Sequence, residues 1–326
     1  MKKKLQLLRI LSDNRFHSGE RIGEAMGISR TAVWKHIQAL QTMGVDCYSV
    51  SGKGYRLSQP IELLDKAEIE LSLSRDGRSL LSQLELHPQI HSTNSHLMEN
   101  RRLLQKGHAC LAELQTNGRG RRGRQWVSPF ARNLYLSLYW YFDISPAMIS
   151  GLGLAVGVGI VRALNEMGLD DVNLKWPNDI LWQGQKLAGI LLEMSAESGG
   201  PYHVVIGVGM NINMDAATDG IDQPWVGLST IANRYLSRNA VASAVLDSLL
   251  KTASEFQTHG LAAFIDEWHA ADAYAAQPVV IQQAGANVSG IARGIDNDGA
   301  IIIETSDGLK RFHSGDVSLR PAGGCL

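Results

Sequence analysis

The chain reads as a multidomain α+β protein, with a winged helix-turn-helix in front, a long α/β segment in the middle and a small β-barrel at the end. Three observations predict this. Residues 1–56 carry ten lysines and arginines against four acids and contain two short helical patterns joined by a glycine. The stretch 67–273 alternates strand-like with helix-like runs, as an α/β arrangement does. From Gln277 onward only short strand-like runs remain, with hairpin turns at Asp298-Gly299 and Asp307-Gly308. A chain of 326 residues is comfortable as two or three domains. The expected divisions are 1–60, 67–273 and 274–326, with LSQPIELLDK (57–66) as the first linker.

In the first segment, KKLQLLRILSD has its leucines at helical spacing. Ser18 is placed to cap a helix over 20–26, Gly27 to make a sharp turn, and Ser29 to cap a second helix over 30–43. Val33, Ile37 and Leu40 share one face of that second helix, and Arg30, Thr31, Trp34, Lys35 and Gln38 share another. CYSV and YRL read as two strands around the tight turn SGKG, which carries Lys53. A helix-turn-helix over about 19–38 followed by a basic hairpin is a DNA-reading pattern, with Ser29 at the start of the reading helix. Trp34 either meets a thymine methyl or sugar, or packs at the edge of the motif.

Composition excludes several classes. Hydrophobic residues make up 44% of the chain and charged residues 19%, enough apolar material for a substantial core. The net charge of −1 argues against a polyanion-binding molecule as a whole, so the basic N-terminus is a local feature. Cys47, Cys110 and Cys325 are too scattered for a disulfide framework or a metal motif, and they suit a reducing cytoplasm. The apolar run of MKKKLQLLRIL is broken by Arg9, which argues against a signal peptide, and GLGLAVGVGIV is too short to span a membrane.

The middle segment divides into strand-like runs (NLYLSLYW, DILWQ, LAGILLEM, HVVIGVGMNIN) and helix-like ones (STNSHLMENRRLL, 146–167, 240–259). Four clusters in it carry chemistry. Ser92-Thr93-Asn94 suit either a helix cap or the polar head of a small ligand. NGRGRRGRQW (117–126), preceded by Gln115, puts four arginines among three glycines and has no P-loop spacing. Its exposed N–H groups and guanidinium forks suit a phosphate cradle or a nucleic-acid patch equally. In KWPNDI (175–180), Pro177 forces an extended bend with Lys175, Asn178 and Asp179 around it. In ILWQGQKLAGILLE (180–193), Gln183-Gly184 marks a hairpin turn and places Lys186 beside the small pair Ala188-Gly189.

NGRGRRGRQW, KWPNDI, QKLAGILLE and GVGMNIN, in this order behind STN, resemble the biotin protein ligase family. The similarity extends to both ends and is closest in organisation to the bifunctional members that also repress the biotin operon. It implies a central mixed sheet of the class II synthetase type and a C-terminal SH3-like barrel. It also implies ATP- and Mg²⁺-dependent activation of biotin to biotinyl-5′-AMP, then transfer to one lysine of a biotin carboxyl carrier protein.

By this resemblance, Lys186, Arg121 and Asp179 are the catalytic residues, with Asp179 beside the acceptor lysine. Ser92, Thr93, Asn94, Gln115, Arg119, Arg121, Lys186 and the backbone of Gly120 surround the biotin. Trp126 lies against adenine, and Lys175, Asn178, Asp179 and Asn211 lie near the adenylate. Arg320 is a candidate contact from the barrel. The regulatory half implies operator DNA and a homodimer that forms when the adenylate is bound. The rival reading is a ligand-sensing transcription factor without chemistry. Such a sensor has no need of the cationic pair Lys186 and Arg121. Ligation of lipoate or octanoate instead of biotin is a third reading, against which the arginine loop speaks.

Overall fold

A computed structural model describes the chain except residues 1, 144, 146–148, 197–199, 215–219, 284–285, 316 and 323–326. Cys325 and the start of the helix expected over 146–167 therefore lie outside the described residues.

At the N-terminus, helices α1 (Lys2–Leu11), α2 (Gly19–Met26) and α3 (Arg30–Gln41) precede strands β1 (Cys47–Val50) and β2 (Gly54–Leu57). The hydroxyls of Ser18 and Ser29 accept hydrogen bonds from the Arg21 and Ala32 amides, satisfying the first turns of α2 and α3. Gly27, at φ 61°, ends α2 in the left-handed region where a side chain is costly. Val33, Ile37 and Leu40 bury against Leu7, Leu8, Leu11, Ile22 and Met26. The wing joins this body where His17 and Tyr55 exchange backbone hydrogen bonds. A Cβ on Gly54 would come within 2.0 Å of the His17 carbonyl, so only glycine fits that contact.

Residues 57–66 are held more tightly than their sequence suggests. Ile61 packs in the N-terminal core together with Phe130 and Ala131 of the middle segment. The Ser237 hydroxyl donates to Glu62 at 2.8 Å, and the Asp65 amide donates to Asn239 Oδ1 at 2.8 Å. Two helices unmarked in the sequence reading follow, α4 (Lys66–Ser72) and α5 (Arg75–Leu80), capped by Asp65 and Ser74. At seven and six residues they are too short to show a helical period.

The central sheet has seven strands in the order β3-β4-β5-β9-β8-β7-β6. They are β3 (Gln83–His87), β4 (His108–Ala112), β5 (Leu134–Phe142), β6 (Val172–Lys175), β7 (Asp179–Trp182), β8 (Gln185–Ala196) and β9 (Tyr202–Met210). Only β3 and β4 pair in parallel, so the sheet is mixed.

The pleat sorts its side chains. Leu136, Leu138 and Trp140 of β5, with Val204, Ile206 and Val208 of β9, join the main core beneath α7 (Leu152–Glu166) and α9 (Arg238–His259). Tyr139 and Val205, one residue out of phase, face the other way and pack with Leu97 of α6 (Thr93–Asn100). Helix α8 (Leu228–Ala232) and helix α10 (Ile265–Ala270) complete this part.

The C-terminal strands are β10 (Pro278–Gln283), β11 (Ala286–Ile295), β12 (Ile301–Thr305), β13 (Gly308–Phe312) and β14 (Ser318–Pro321). They form an antiparallel sheet in the order β13-β12-β11-β10-β14, and no ladder between β13 and β14 is seen among the described residues. Val279, Ile281, Ile301, Ile303 and Leu319 bury in the same core as the central sheet. Trp176 in KWPND ties the two parts, its indole N–H donating to the Gly299 carbonyl at 3.1 Å.

Candidate active site

A cavity of about 360 Å³ opens on the α6 side of the central sheet. Its floor follows from the pleat. Alternate residues of GVGMN point away from the core, and those residues are Gly207 and Gly209, with Gly189 paired opposite Gly209. A Cβ on Gly209 would lie 2.5 Å from the Trp126 indole, and one on Gly207 would lie 2.2 Å from Asn94 Oδ1. The missing side chains are therefore what admit the tryptophan and the asparagine.

Ser92, Thr93 and Asn94 form one end of the cavity, with the Ser92 hydroxyl capping α6 as well. Gln115 Oε1 accepts from the Thr93 amide at 2.9 Å and the Thr93 hydroxyl at 3.1 Å. Ser137 donates to Thr93 Oγ1 at 2.7 Å and lies 2.5 Å from Asn94 Oδ1, while Asn94 Nδ2 donates to the Leu191 carbonyl. These bonds fix the polar side chains before any ligand arrives.

At the other end Asp179 lies between two lysines, 2.7 Å from Lys186 Nζ and 3.7 Å from Lys175 Nζ. The β6–β7 turn puts Lys175 opposite Asp179, and the β7–β8 hairpin brings Lys186 alongside. Burial alone would raise the Asp179 carboxyl, but Lys186 and Lys175 outweigh it and hold the group below its ordinary range. Burial pushes the Lys175 ammonium down. Lys186 Nζ also sits 5.5 Å from the Trp126 ring centre. Asn178 and Asn211 are braced by backbone carbonyls, Nδ2 of each donating to Ile190 and Lys186 respectively. Arg320 reaches the cavity wall from β14, opposite Val280 of β10.

The arginine loop covers this end. The Gly120 amide donates to the Arg124 carbonyl at 2.7 Å and the Trp126 amide to the Gly118 carbonyl at 2.9 Å, folding the segment back on itself. Its two named arginines diverge. Arg119 Nη2 lies 2.8 and 2.9 Å from the two Glu193 carboxylate oxygens and 2.8 Å from the Ser95 hydroxyl. Arg121 donates to Asn178 Oδ1 at 3.2 Å and to the carbonyls of Ser314 and Gly315, which latches the loop to the C-terminal sheet.

The cavity walls thus hold every ligand-directed residue expected from the sequence, with seven arginines and lysines against two aspartates. Among the described wall residues, Asp222, Trp225 and Val317 were not singled out in the sequence, while Gly207 and Gly209 were quoted only as part of GVGMNIN, with no role given. The backbone of Lys186 bonds to Pro224 and Val226, so the segment around Trp225 is a neighbour that no local pattern signals. On the N-terminal domain, Ser29, Arg30, Thr31, Lys35, Gln38 and Lys53 are all exposed, and Trp34 is 51% exposed rather than packed away.

A helix-turn-helix with a wing, joined to a glycine-floored cationic cavity, defines a class of protein that couples small-molecule chemistry to DNA reading. The family models agree part by part. A helix-turn-helix domain matches residues 3–56, the biotin/lipoate A/B protein ligase family matches 86–211, and the biotin protein ligase C-terminal domain matches 277–320. The chain is 41% identical to the bifunctional ligase/repressor BirA of Salmonella typhimurium, over 98% of each chain. It is 40% identical to BirA of Escherichia coli, over 98% of this chain and 97% of that one. The biotin protein ligase of Aquifex aeolicus, solved with biotin and ATP, superposes with a TM-score of 0.66 at 27% identity, covering 74% of this chain and all of that one. The chain belongs to the family of bifunctional biotin ligase/repressors, with a biotin–protein ligase and a DNA-reading repressor domain in one polypeptide.

Proposed function

We propose that the cavity joins the biotin carboxylate to the α-phosphorus of ATP, releasing pyrophosphate. The acyl–phosphate bond then breaks as one lysine of a biotin carboxyl carrier protein takes the biotinyl group, and AMP leaves. The observation that supports this best is the excess of cations in the walls, together with two buried donors, Trp126 Nε1 and Arg320 Nε, that have no partner. Bringing a carboxylate to a triphosphate in a half-dry cleft is uphill unless cations meet both. In this reading Lys186 swings from Asp179 to bridge carboxylate and phosphate, and Arg119 and Arg121 close over them. Ser92, Thr93, Asn94, Gln115 and the Gly120 backbone hold the biotin. Trp126 covers the adenine, with Lys175, Asn178, Asn211 and Arg320 around the nucleotide.

The acceptor lysine must be neutral to attack. Asp179, a weak base while both lysines hold it, takes that proton once Lys186 has turned to the phosphate. The walls offer two aspartates and a few amide oxygens, not an oxygen cage, which fits a Mg²⁺ carried in on ATP phosphates with Asp179 and Asn178 beside it. When bound, that ion neutralises phosphate charge.

Pyrophosphate release should require biotin, with lipoate inactive, and a carrier domain should gain one biotinyl mass. Release driven by lipoate and not by biotin would overturn the reading. Arg121→Gly should release biotinyl-5′-AMP into solution, because the latch to Asn178 and the C-terminal sheet is lost. Retention as long as in the parent would defeat the role given to the loop.

For the regulatory half we propose an adenylate-bound homodimer that sets two α3 helices on a palindromic operator. Exposed Arg30, Thr31, Lys35, Gln38 and Trp34 on α3, and Lys53 on the wing, supply the reading surface. Gel-shift titrations should tighten when biotin and ATP are added, and binding indifferent to both would sink this half. Lys53→Ala should weaken all sequences alike and lower the salt slope by about 1. The free thiols of Cys47 and Cys110 suit a reducing cytoplasm. Among the described residues, no helix is long and apolar enough to cross a membrane.

A further inference from the structure

Beside the ligase cavity, on the same face of the sheet, lies a second polar cluster that the ligase chemistry does not use. Glu85 and His87 are two apart on β3, and His108 and Cys110 are two apart on β4. The parallel register sets Glu85 against Cys110, so all four side chains leave one face. Helix α6 lays His96 over them. His87 Nε2 and His96 Nε2 lie 2.9 and 2.8 Å from the same oxygen, Glu85 Oε2, and His108 Nε2 lies 2.9 Å from the other oxygen. One ligand atom from each of Glu85, His87, His96 and Cys110 lies within 4.8 Å of all the others.

We propose that Glu85, His87, His96 and Cys110 bind one divalent transition ion of the zinc class, with His108 orienting the Glu85 carboxylate from behind. Two imidazoles, a thiolate and a carboxylate suit tetrahedral zinc or cobalt(II) and not the all-oxygen preference of magnesium or calcium. A tetrahedral shell with bonds of about 2.0–2.3 Å has ligand edges of roughly 3.3–3.6 Å, so the widest separations, up to 4.8 Å, close by about an ångström while the two imidazoles draw back slightly from Glu85 Oε2. On binding, the Cys110 proton passes to solvent, and His87 and His96 coordinate through unprotonated Nε2 atoms. An approach exists: a cleft lined by Arg9, Asp65, Lys66, Glu70, Glu85 and His87 opens at this sheet edge. His87 and His96 are each about a third exposed, while Cys110 is buried behind them. The ion would pin α6, whose first residues line the ligase cavity, to β3 and β4.

The full chain, freed of metal with a chelator, is titrated with cobalt(II) and zinc. The expected result is one ion per chain, with the intense visible bands of tetrahedral cobalt and a thiolate-to-cobalt charge-transfer band. Cys110→Ser should lose the charge-transfer band while circular dichroism and melting show an intact fold. His87→Ala with His96→Ala should weaken binding by about 100-fold or more and abolish the rise in melting temperature that zinc gives the parent. A weak octahedral cobalt spectrum, no binding, or equal binding by the double variant would each overturn the site and leave a hydrogen-bonded cluster.

Discussion

Two carboxylate–cation clusters lie a short way apart in the middle segment and are built to opposite ends. At the first, Arg238 is fully buried and Glu113 nearly so, and the two meet at 2.7 Å. All three guanidinium nitrogens and both carboxylate oxygens have partners. Arg238 also donates to the carbonyls of Glu62 and Asn133, and Glu113 Oε1 accepts from the Leu64 amide at 2.6 Å. At the second, Asp179 faces Lys186 and Lys175 with Arg320 nearby, each lysine keeps some exposure, and buried donors stand without acceptors. The first cluster is balanced and closed, and it ties residues 61–65 to the ligase body. The second holds more positive charge than its one carboxylate can answer. Satisfied polar networks are what a fold keeps for rigidity, and unsatisfied cations are what a binding site keeps for its ligand.

The contrast breaks most visibly at the closed cluster. Arg238→Met should cost about 3–5 kcal/mol of stability, because Glu113 stays buried without its partner. Urea unfolding measures it, and a loss under about 1 kcal/mol would remove the distinction between the clusters. At the open cluster the order reverses. Lys186→Met should lower adenylation by roughly 10²–10³-fold, as loss of a transition-state charge contact does, and cost less stability than Arg238→Met, because Lys175 and Arg320 still face Asp179.

The smallest effect is in acid. Lys186 and Lys175 outweigh burial and hold the Asp179 carboxyl below its ordinary value of 3.8. A depressed carboxyl contributes stability that is full above that value and fades as pH falls through the lower folded-state value. The stability gap between the parent and Asp179→Asn should therefore be constant from neutral pH to about pH 4 and shrink below it. A gap that grew in acid would mean that the lysines do not govern this carboxyl.

Much of the molecule was legible in the residues. The caps Ser18 and Ser29, the turn at Gly27 and the stripe of Val33, Ile37 and Leu40 announce the helix-turn-helix, because each acts within a few residues of itself. The long strands β5, β8 and β9 were visible for the same reason. Strands β4 and β6 were not: HACLA and VNLK are short and lack a clear alternation, and β4 is placed by β3 and β5, each more than twenty residues away in the chain. Residues 57–66 looked like a free linker because Pro60 and the polar residues conceal Ile61, whose burial depends on Phe130 and Ala131.

The chemistry divides along the same line. Residue types and local order alone specify a flexible cationic loop, a lysine beside small residues and a basic DNA-reading end, since charge, glycine freedom and helical period are properties of short stretches. Tertiary structure alone decides that Arg121 turns to Asn178 and the C-terminal sheet while Arg119 turns to Glu193. It alone brings Arg320 to a cavity built mostly from other strands, and sets Cys110 beside Glu85. Direction and partnership depend on which strands become neighbours, and that is settled by burial of the whole core, not by any segment within it.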